Sequence, residues 1–356
     1  MGIAILLSVL YVFPKRQAFI LPIQIIIFSV VISMFISTLS RDQGLIDSVI
    51  GSIPVLILIV FFYLKHIKFP IEQIEKITIG FGILYAILYF FQFMHPSSNY
   101  FIDTETVDDS RGITRFIFPG GGIFTLTTFI AINKLTTERK NRWFWSILTV
   151  LSIVIYVMQV TRQVIFAMLI IYLYHFTKDI SLFKKIVLVS CVAAILFYFS
   201  QSDNQIVVGL ASTHEQTQES GVDYIRVQAA TFYLTDFSNT VLSRILGNGV
   251  PYGDTSPYYM YSSWYTINYG FWLSDVGLIA VYAMFGVFAV LGYFIIWLKS
   301  FFIKLPKEFF YLKYYLWFLL MTSLTSDSIY SPNSMIITVF VLYIYQSVYE
   351  KKMLLV

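Results

Sequence analysis

Long apolar runs, separated by short basic connections, limit most strongly what this chain can fold into. A helix needs roughly 20 apolar residues to cross about 30 Å of hydrocarbon. The runs predict spans near residues 1–13, 17–39, 46–64, 77–94, 119–135, 143–160, 163–177, 186–200, 272–298, 309–325 and 334–349. Only 12% of the residues are charged, against about 25% in soluble domains. We therefore expect a single all-α, polytopic membrane domain over residues 1–356, with about 11 transmembrane helices.

Lysine and arginine predict which connections face the cytoplasm, because short cytoplasmic loops are enriched in both. Seventeen of the 24 basic residues fall in alternate connections. They are Lys15, Arg16, Lys65, Lys68, Lys76, Lys134, Arg139, Lys140, Arg142, Lys178, Lys184, Lys185, Lys299, Lys304, Lys307, Lys351 and Lys352. This bias predicts an N-terminus outside the cell and a C-terminus in the cytoplasm.

The opposite, outer face carries only arginine among its basic residues, although lysine is the commoner of the two in this chain. The outer arginines are Arg41, Arg111, Arg115, Arg162, Arg226 and Arg244. A guanidinium offers a planar fork of donors that matches phosphate and carboxylate, whereas an ammonium is a point charge. The bias therefore predicts that an anion is held at the outer face.

Arg162 stands between two apolar runs in the segment QVTRQ. A single helix over residues 143–177 would be roughly 52 Å long, far more than a bilayer needs. Basic clusters flank this segment on both sides and should both be cytoplasmic, so the chain must turn back. Arg162 is then expected at the top of an outer hairpin. The alternative is an interfacial arginine that reaches lipid headgroups.

Two outer segments are long enough to do more than connect spans. Residues 95–118 form the smaller loop, with an acidic patch followed by Arg111 and Arg115. Residues 201–271 form the large outer loop. Within it, residues 220–237 are typical of an amphipathic helix, and the glycine-rich stretch ILGNGVPYGD at 245–254 interrupts the helical pattern.

Candidate catalytic groups on the outer side are His214, Asp223 and Asp275. Histidine has the pKa best suited to a base at neutral pH, although a histidine in a loop is often simply solvated. Asp275 begins an apolar span, where a carboxylate is costly unless it is paired. An outer-face arginine is its natural partner, so we expect Asp275 to orient an arginine.

Several classes of activity are excluded by missing motifs. The sequence contains no P-loop, no cluster of metal ligands and no paired-aspartate nucleotide–metal motif, and Cys191 is the sole cysteine. We therefore predict no metal, no cofactor and no nucleic-acid partner.

Four short motifs together carry a resemblance to a known family. They are Thr161–Arg162 at the start of a mid-chain span, Arg226 early in the large loop, LGNG at 246–249, and N-Y-x-x-W-L-x-D-x-G-L-I at 268–279. The segment TRFIFPGGGIF at 114–124 adds an arginine and a turn before a span. This layout resembles the Wzy-type O-antigen polymerases and the related O-antigen ligases.

The resemblance implies a metal-independent glycosyltransferase of the GT-C type in the bacterial inner membrane. Such an enzyme polymerises undecaprenyl-pyrophosphate-linked oligosaccharide repeats, which serve as donor and acceptor, into O-antigen or capsular polysaccharide at the periplasmic face. Arg162 and Arg226 would bind the pyrophosphate, with Arg115 and Arg244 as weaker members of the set. A chain-length regulator is an expected partner.

Three alternatives remain open. The first is an O-antigen ligase. These ligases commonly carry a histidine in the region that corresponds to residues 262–275, and the absence of a histidine there in this sequence counts against this alternative. Another polyprenyl-phosphate sugar transferase would use Asp42 of SRDQG as its catalytic carboxylate. A flippase or transporter of the same lipid-linked units is the non-enzyme alternative, although the internal repeats typical of transporters are missing.

Overall fold

The computed structural model describes residues 18–95, 98, 100–101, 105–107, 115–117, 119–159, 161–187, 189–190 and 224–353, together with isolated positions before residue 18. The chain forms two compact units. The first comprises Met1–Glu75 and Val222–Val356, and the second comprises Lys76–Gly221. The organisation as a single membrane domain stays a prediction.

Helices make up nearly all of the described elements. The first unit contains α1 (Ile20–Arg41), α2 (Leu45–Leu56), a 3-10 turn (Ile57–Ile59) and α3 (Val60–Ile67), after which α4 (Ile71–Met94) passes into the second unit. The second unit continues with β1 (Glu105–Val107), β2 (Arg115–Ile117), α5 (Gly121–Thr137), α6 (Arg142–Met158) and α7 (Arg162–Thr177). The first unit resumes with α8 (Ile225–Thr235), α9 (Val241–Leu246), α10 (Pro257–Tyr269), α11 (Leu278–Phe302), α12 (Phe310–Thr322) and α13 (Pro332–Met353). Residues 182–187 are also helical.

The predicted membrane character is confirmed in its coarse form. Among the described residues, four helical segments are long and apolar enough to cross a membrane, namely Ile20–Arg41, Leu45–Ile67, Ile71–Met94 and Leu278–Phe302. The count of about 11 spans stays a prediction, because α6 and α7 are apolar but shorter, and the predicted spans at 1–13 and 186–200 fall largely outside the described residues.

One element departs from the all-α prediction. β1 and β2 pair antiparallel within the 95–118 segment, with Glu105 opposite Ile117 and Val107 opposite Arg115. Three-residue strands carry too short an alternation to be recognised in the sequence. The smaller predicted loop therefore contains a β-hairpin.

The core of the first unit is built on the packing of α1 against α11. A Cβ at Gly292 would lie 2.5 Å from Cγ1 of Ile26, so only glycine permits the two backbones to approach this closely. Ser29 donates from its hydroxyl to the carbonyl of Phe285 at 2.6 Å. Small residues and hydroxyls at such contacts are typical of helix packing in membranes, where apolar surface alone gives little preference for a neighbouring helix over lipid.

The two ends of α1 lie in chemically different surroundings. Just before its start, Lys299 donates a hydrogen bond to the carbonyl of Ala18, and the amide of Phe19 donates one to the side chain of Gln346. Gln346 in turn donates to Glu350, which forms an ion pair with Lys65. Arg41 lies at the other end of this 22-residue helix, about 33 Å away at 1.5 Å per residue. Within the first unit, lysines predicted to be cytoplasmic thus gather at the end of the helices that is remote from Arg41.

The second unit contains the hairpin that was predicted around Arg162. α6 ends at Met158 and α7 begins at Arg162. The hydroxyls of Ser152 and Tyr172 lie 3.2 Å apart, which places the two helices side by side. The helix break and the reversal of the chain at QVTRQ are therefore confirmed, and Arg162 is the first residue after the turn.

Candidate functional site

Arg226 and Asp275 form an ion pair in the first unit. Arg226 occupies the first turn of α8, and Asp275 ends the 3-10 turn Leu273–Asp275 that precedes α11. Nη2 of Arg226 lies 3.7 Å from Oδ1 of Asp275, with side chains 40% and 39% exposed. The expectation that Asp275 pairs with an arginine is confirmed, while the outer position of this pair stays a prediction. One loose contact orients the guanidinium and leaves its remaining donors accessible to an anion.

The turn that carries Asp275 is fixed by hydrogen bonds on both sides. Tyr233 donates from its hydroxyl to the carbonyl of Phe271 at 2.8 Å, and Tyr330 donates to the carbonyl of Leu273 at 2.8 Å. Just beyond the turn, a Cβ at Gly277 would lie 2.0 Å from the carbonyl oxygen of Ser323. The position of the carboxylate is thus determined by α8 and by the α12–α13 connection.

Arg41 is a second cation of this region, and it is buried. Its side chain contacts the carbonyl of Phe237 through Nη2, and both Nε and Nη2 lie 3.4 Å from Oδ1 of Asn248. The rings of Phe237, Tyr258 and Tyr261 surround the guanidinium at 5.0, 5.3 and 4.7 Å. Burial raises the pKa of Tyr258 although Arg41 opposes the shift, so the phenol stays neutral. Arg41 thus joins the end of α1 to the large predicted loop.

The LGNG segment fills a break in α11. Gly286 leaves the helical conformation, at φ 78° and ψ −178°, which frees carbonyls that precede it. Asn248 donates from its backbone and side-chain nitrogens to the carbonyl of Ala283 at 3.0 and 2.9 Å, and Gly249 donates to the carbonyl of Met284 at 2.7 Å. The motif acts as a structural insertion that ties the loop into the helix.

Arg244 lies on α9 and contacts the end of α8 that is opposite Arg226. It is exposed, and its Nη2 donates to the carbonyl of Thr235 at 2.8 Å. Thr235 is nine residues after Arg226 on the same helix, roughly 14 Å along its axis. The structure therefore separates these two predicted pyrophosphate ligands along α8.

The remaining predicted site residues are placed as follows. Arg162 is half-buried at the start of α7, and Arg115 begins β2, both in the second unit. Asp42 is exposed, in a left-handed conformation (φ 54°) at the end of α1. His214 and Asp223 lie outside the described residues.

Sequence reasoning missed the buried position of Arg41 and the break at Gly286. Arg41 belonged to the outer arginine set, but nothing local showed that it would meet Asn248, which lies 207 residues away in sequence. A glycine within the apolar run AMFGVF was the available signal for the break, since glycine readily adopts positive φ.

Comparisons with known proteins give no relative from which a role could be transferred. No family model matches the chain, and neither a curated protein nor a solved structure is significantly similar to it. The functional assignment must therefore rest on the residues themselves.

Proposed function

We propose that this protein is a metal-independent membrane glycosyltransferase of the GT-C type. It polymerises polyprenyl-pyrophosphate-linked oligosaccharide repeats into O-antigen or capsular polysaccharide at the outer face of the bacterial inner membrane. The observation that carries the proposal is the Arg226–Asp275 pair, a half-exposed guanidinium oriented by a carboxylate at the edge of the large predicted loop.

The proposed reaction requires cations where negative charge develops. The bond between the donor anomeric carbon and the pyrophosphate oxygen breaks, and the polyprenyl pyrophosphate leaves with the electron pair. The acceptor hydroxyl oxygen bonds to the anomeric carbon, and its proton passes to a base, for which His214 and Asp223 stay candidates. Preorganised donors at a developing charge are worth several kcal/mol of barrier, about 3–4 in measured cases. In this proposal Arg226 and Arg162 supply them.

The surroundings of the kink in α11 favour this proposal over the transporter alternative. Transporters often use the unwound backbone of broken helices to coordinate their cargo. Here the carbonyls of Ala283, Met284 and Phe285 already accept hydrogen bonds from the protein itself. The broken helix therefore serves packing, because these oxygens are already engaged within the protein.

Purified protein supplied with polyprenyl-pyrophosphate oligosaccharide from the producing cells tests the proposal. We expect polymer from the wild type and a loss of about hundredfold in rate for Arg226→Ala. Arg139→Ala is the matched control, since Arg139 is an exposed arginine of the predicted cytoplasmic side. Equal rates for the two variants would overturn the assignment. Equal use of a monophosphate donor would favour the transferase alternative based on Asp42.

A further inference from the structure

A groove lined by aromatic rings lies between α8 and α10 in the first unit. Its volume is about 440 Å³, within the range of about 300–1,000 Å³ that small-ligand sites occupy. The aromatic side chains that line it are Phe232, Tyr265, Tyr269 and Phe271. The Arg226–Asp275 pair does not line it.

The ring of Tyr265 makes a small to moderate angle with each of the other three rings of the groove. The ring planes of Phe232, Tyr269 and Phe271 are tilted from the plane of the Tyr265 ring by 31°, 27° and 8°, respectively. The corresponding distances between ring centroids are 4.2, 5.7 and 6.5 Å. The pKa of Tyr265 is raised, mainly by a hydrogen bond with Tyr261, so the phenol of Tyr265 stays neutral. Together the rings give the groove flat, uncharged, apolar surfaces beside phenol groups that can form hydrogen bonds.

Polar groups share the groove with these rings. Gln228 is exposed and lines the groove, so its side-chain amide can reach a ligand there. Asp236 accepts a hydrogen bond from the hydroxyl of Thr235 at 2.8 Å through Oδ2, which leaves Oδ1 for a ligand. An acyl chain would strip water from both groups at a cost, and a phosphate would be repelled by the carboxylate. A pyranose ring suits the groove, since it has an apolar C–H face and hydroxyls at its edge.

The groove and the ion pair use different faces of α8. Gln228, Thr231 and Phe232 follow Arg226 by two, five and six residues. With 3.6 residues per turn, these side chains lie roughly 140–240° around the helix from Arg226. A glycan in the groove would therefore be held away from a pyrophosphate bound by Arg226.

We propose that this groove is a glycan subsite that binds neutral sugar rings of the repeat unit, remote from the pyrophosphate. That the bound glycan is the repeat unit rests on the proposed function. Tyr265 and Tyr269 stack on the sugar, and Gln228 and Asp236 bind its hydroxyls. The groove thereby contributes to the choice of which repeat unit is joined.

The test uses oligosaccharide released by mild acid from the polyprenyl lipids of the producing cells, so the probe lacks pyrophosphate. Its binding to the detergent-purified full chain is measured by saturation-transfer NMR. We expect Tyr265→Ala and Tyr269→Ala to weaken binding by about tenfold or more. Tyr265→Phe keeps the ring and should stay within about threefold of wild type. Tyr259→Ala is the matched control, an exposed tyrosine of α10 that does not line the groove.

The outcomes separate this inference from the function on which it rests. Wild-type binding in Tyr265→Ala and Tyr269→Ala, or no binding of the probe to the wild type, would overturn the subsite. Competition by inorganic pyrophosphate would also overturn it, since the groove would then be an anion site. Arg226→Ala should leave probe binding unchanged while lowering the rate of polymerisation about hundredfold. If the rate of polymerisation in Arg226→Ala equals that of the wild type, the proposed function fails whatever the groove binds.

Discussion

The guanidinium of Arg226 lies 3.7 Å from the carboxylate of Asp275, and neither side chain is buried. An exposed pair of this kind typically contributes only about 0–1 kcal/mol to folding. The pair therefore matters for orientation of the Arg226 side chain. An arginine that is already held in place loses less conformational entropy when it binds an anion.

We predict that Asp275→Asn leaves the fold intact and lowers the rate of polymerisation by about tenfold. The substitution removes the charge that holds Arg226 but keeps the shape of the side chain. Melting temperature and rate are measured on the same purified sample. A variant that unfolds at a much lower temperature would instead show that Asp275 is structural, and an unchanged rate would remove it from the site.

Arg41→Met is predicted to destabilise the protein by about 2–4 kcal/mol, since it removes charged hydrogen bonds and cation–π contacts inside the protein. The measurement is denaturant or thermal unfolding in detergent. Arg244→Met is the control, because Arg244 is exposed and donates one hydrogen bond to a carbonyl; we expect a cost of about 1 kcal/mol or less. Equal costs would contradict the buried position of Arg41.

Gly247→Ala and Gly286→Ala are each predicted to destabilise the protein by at least about 3 kcal/mol. Both glycines have positive φ, and an added Cβ would lie 2.4 Å from the carbonyl oxygen of Met284 or 2.3 Å from that of Ile245. Gly80→Ala is the control, since a Cβ there meets nothing within 4 Å, and it should stay within about 1 kcal/mol. Tolerance of all three changes would contradict the insertion of LGNG into α11.

The predicted sidedness is tested by labelling single cysteines in a Cys191→Ser background. A membrane-impermeant maleimide should label Thr255→Cys in intact cells, but Lys304→Cys only after the inner membrane is permeabilised. Both positions are exposed, so accessibility to the reagent depends on the side of the membrane. The reverse pattern would place the arginine-bearing loop in the cytoplasm and remove the proposed substrate from its reach.

Local patterns were sufficient to predict the long apolar helices that the structure describes, though not α9 or α10, and one contact of the site. The run at 163–177 corresponds to α7 at Arg162–Thr177. The cost of an unpaired carboxylate at the start of an apolar span predicted an arginine partner for Asp275. In both cases a general rule about membranes applies to neighbouring residues and needs no knowledge of the tertiary structure.

Long-range contacts were beyond this reasoning. Asn248 fills the break at Gly286 and also binds Arg41, so its role depends on three segments that are distant in the sequence. The contacting rings of Phe232 and Tyr265 likewise come from different helices. The sequence pattern of either segment alone describes an ordinary aromatic helix.

The most direct test of the central claim is the surface polysaccharide of cells in which the chromosomal gene is replaced by variants. At equal membrane levels, Arg162→Ala and Arg226→Ala should each abolish the ladder of long chains on a gel and leave single repeat units, whereas Arg139→Ala keeps the ladder. An unchanged ladder in either of the first two variants would contradict the claim that these arginines hold the pyrophosphate during polymerisation.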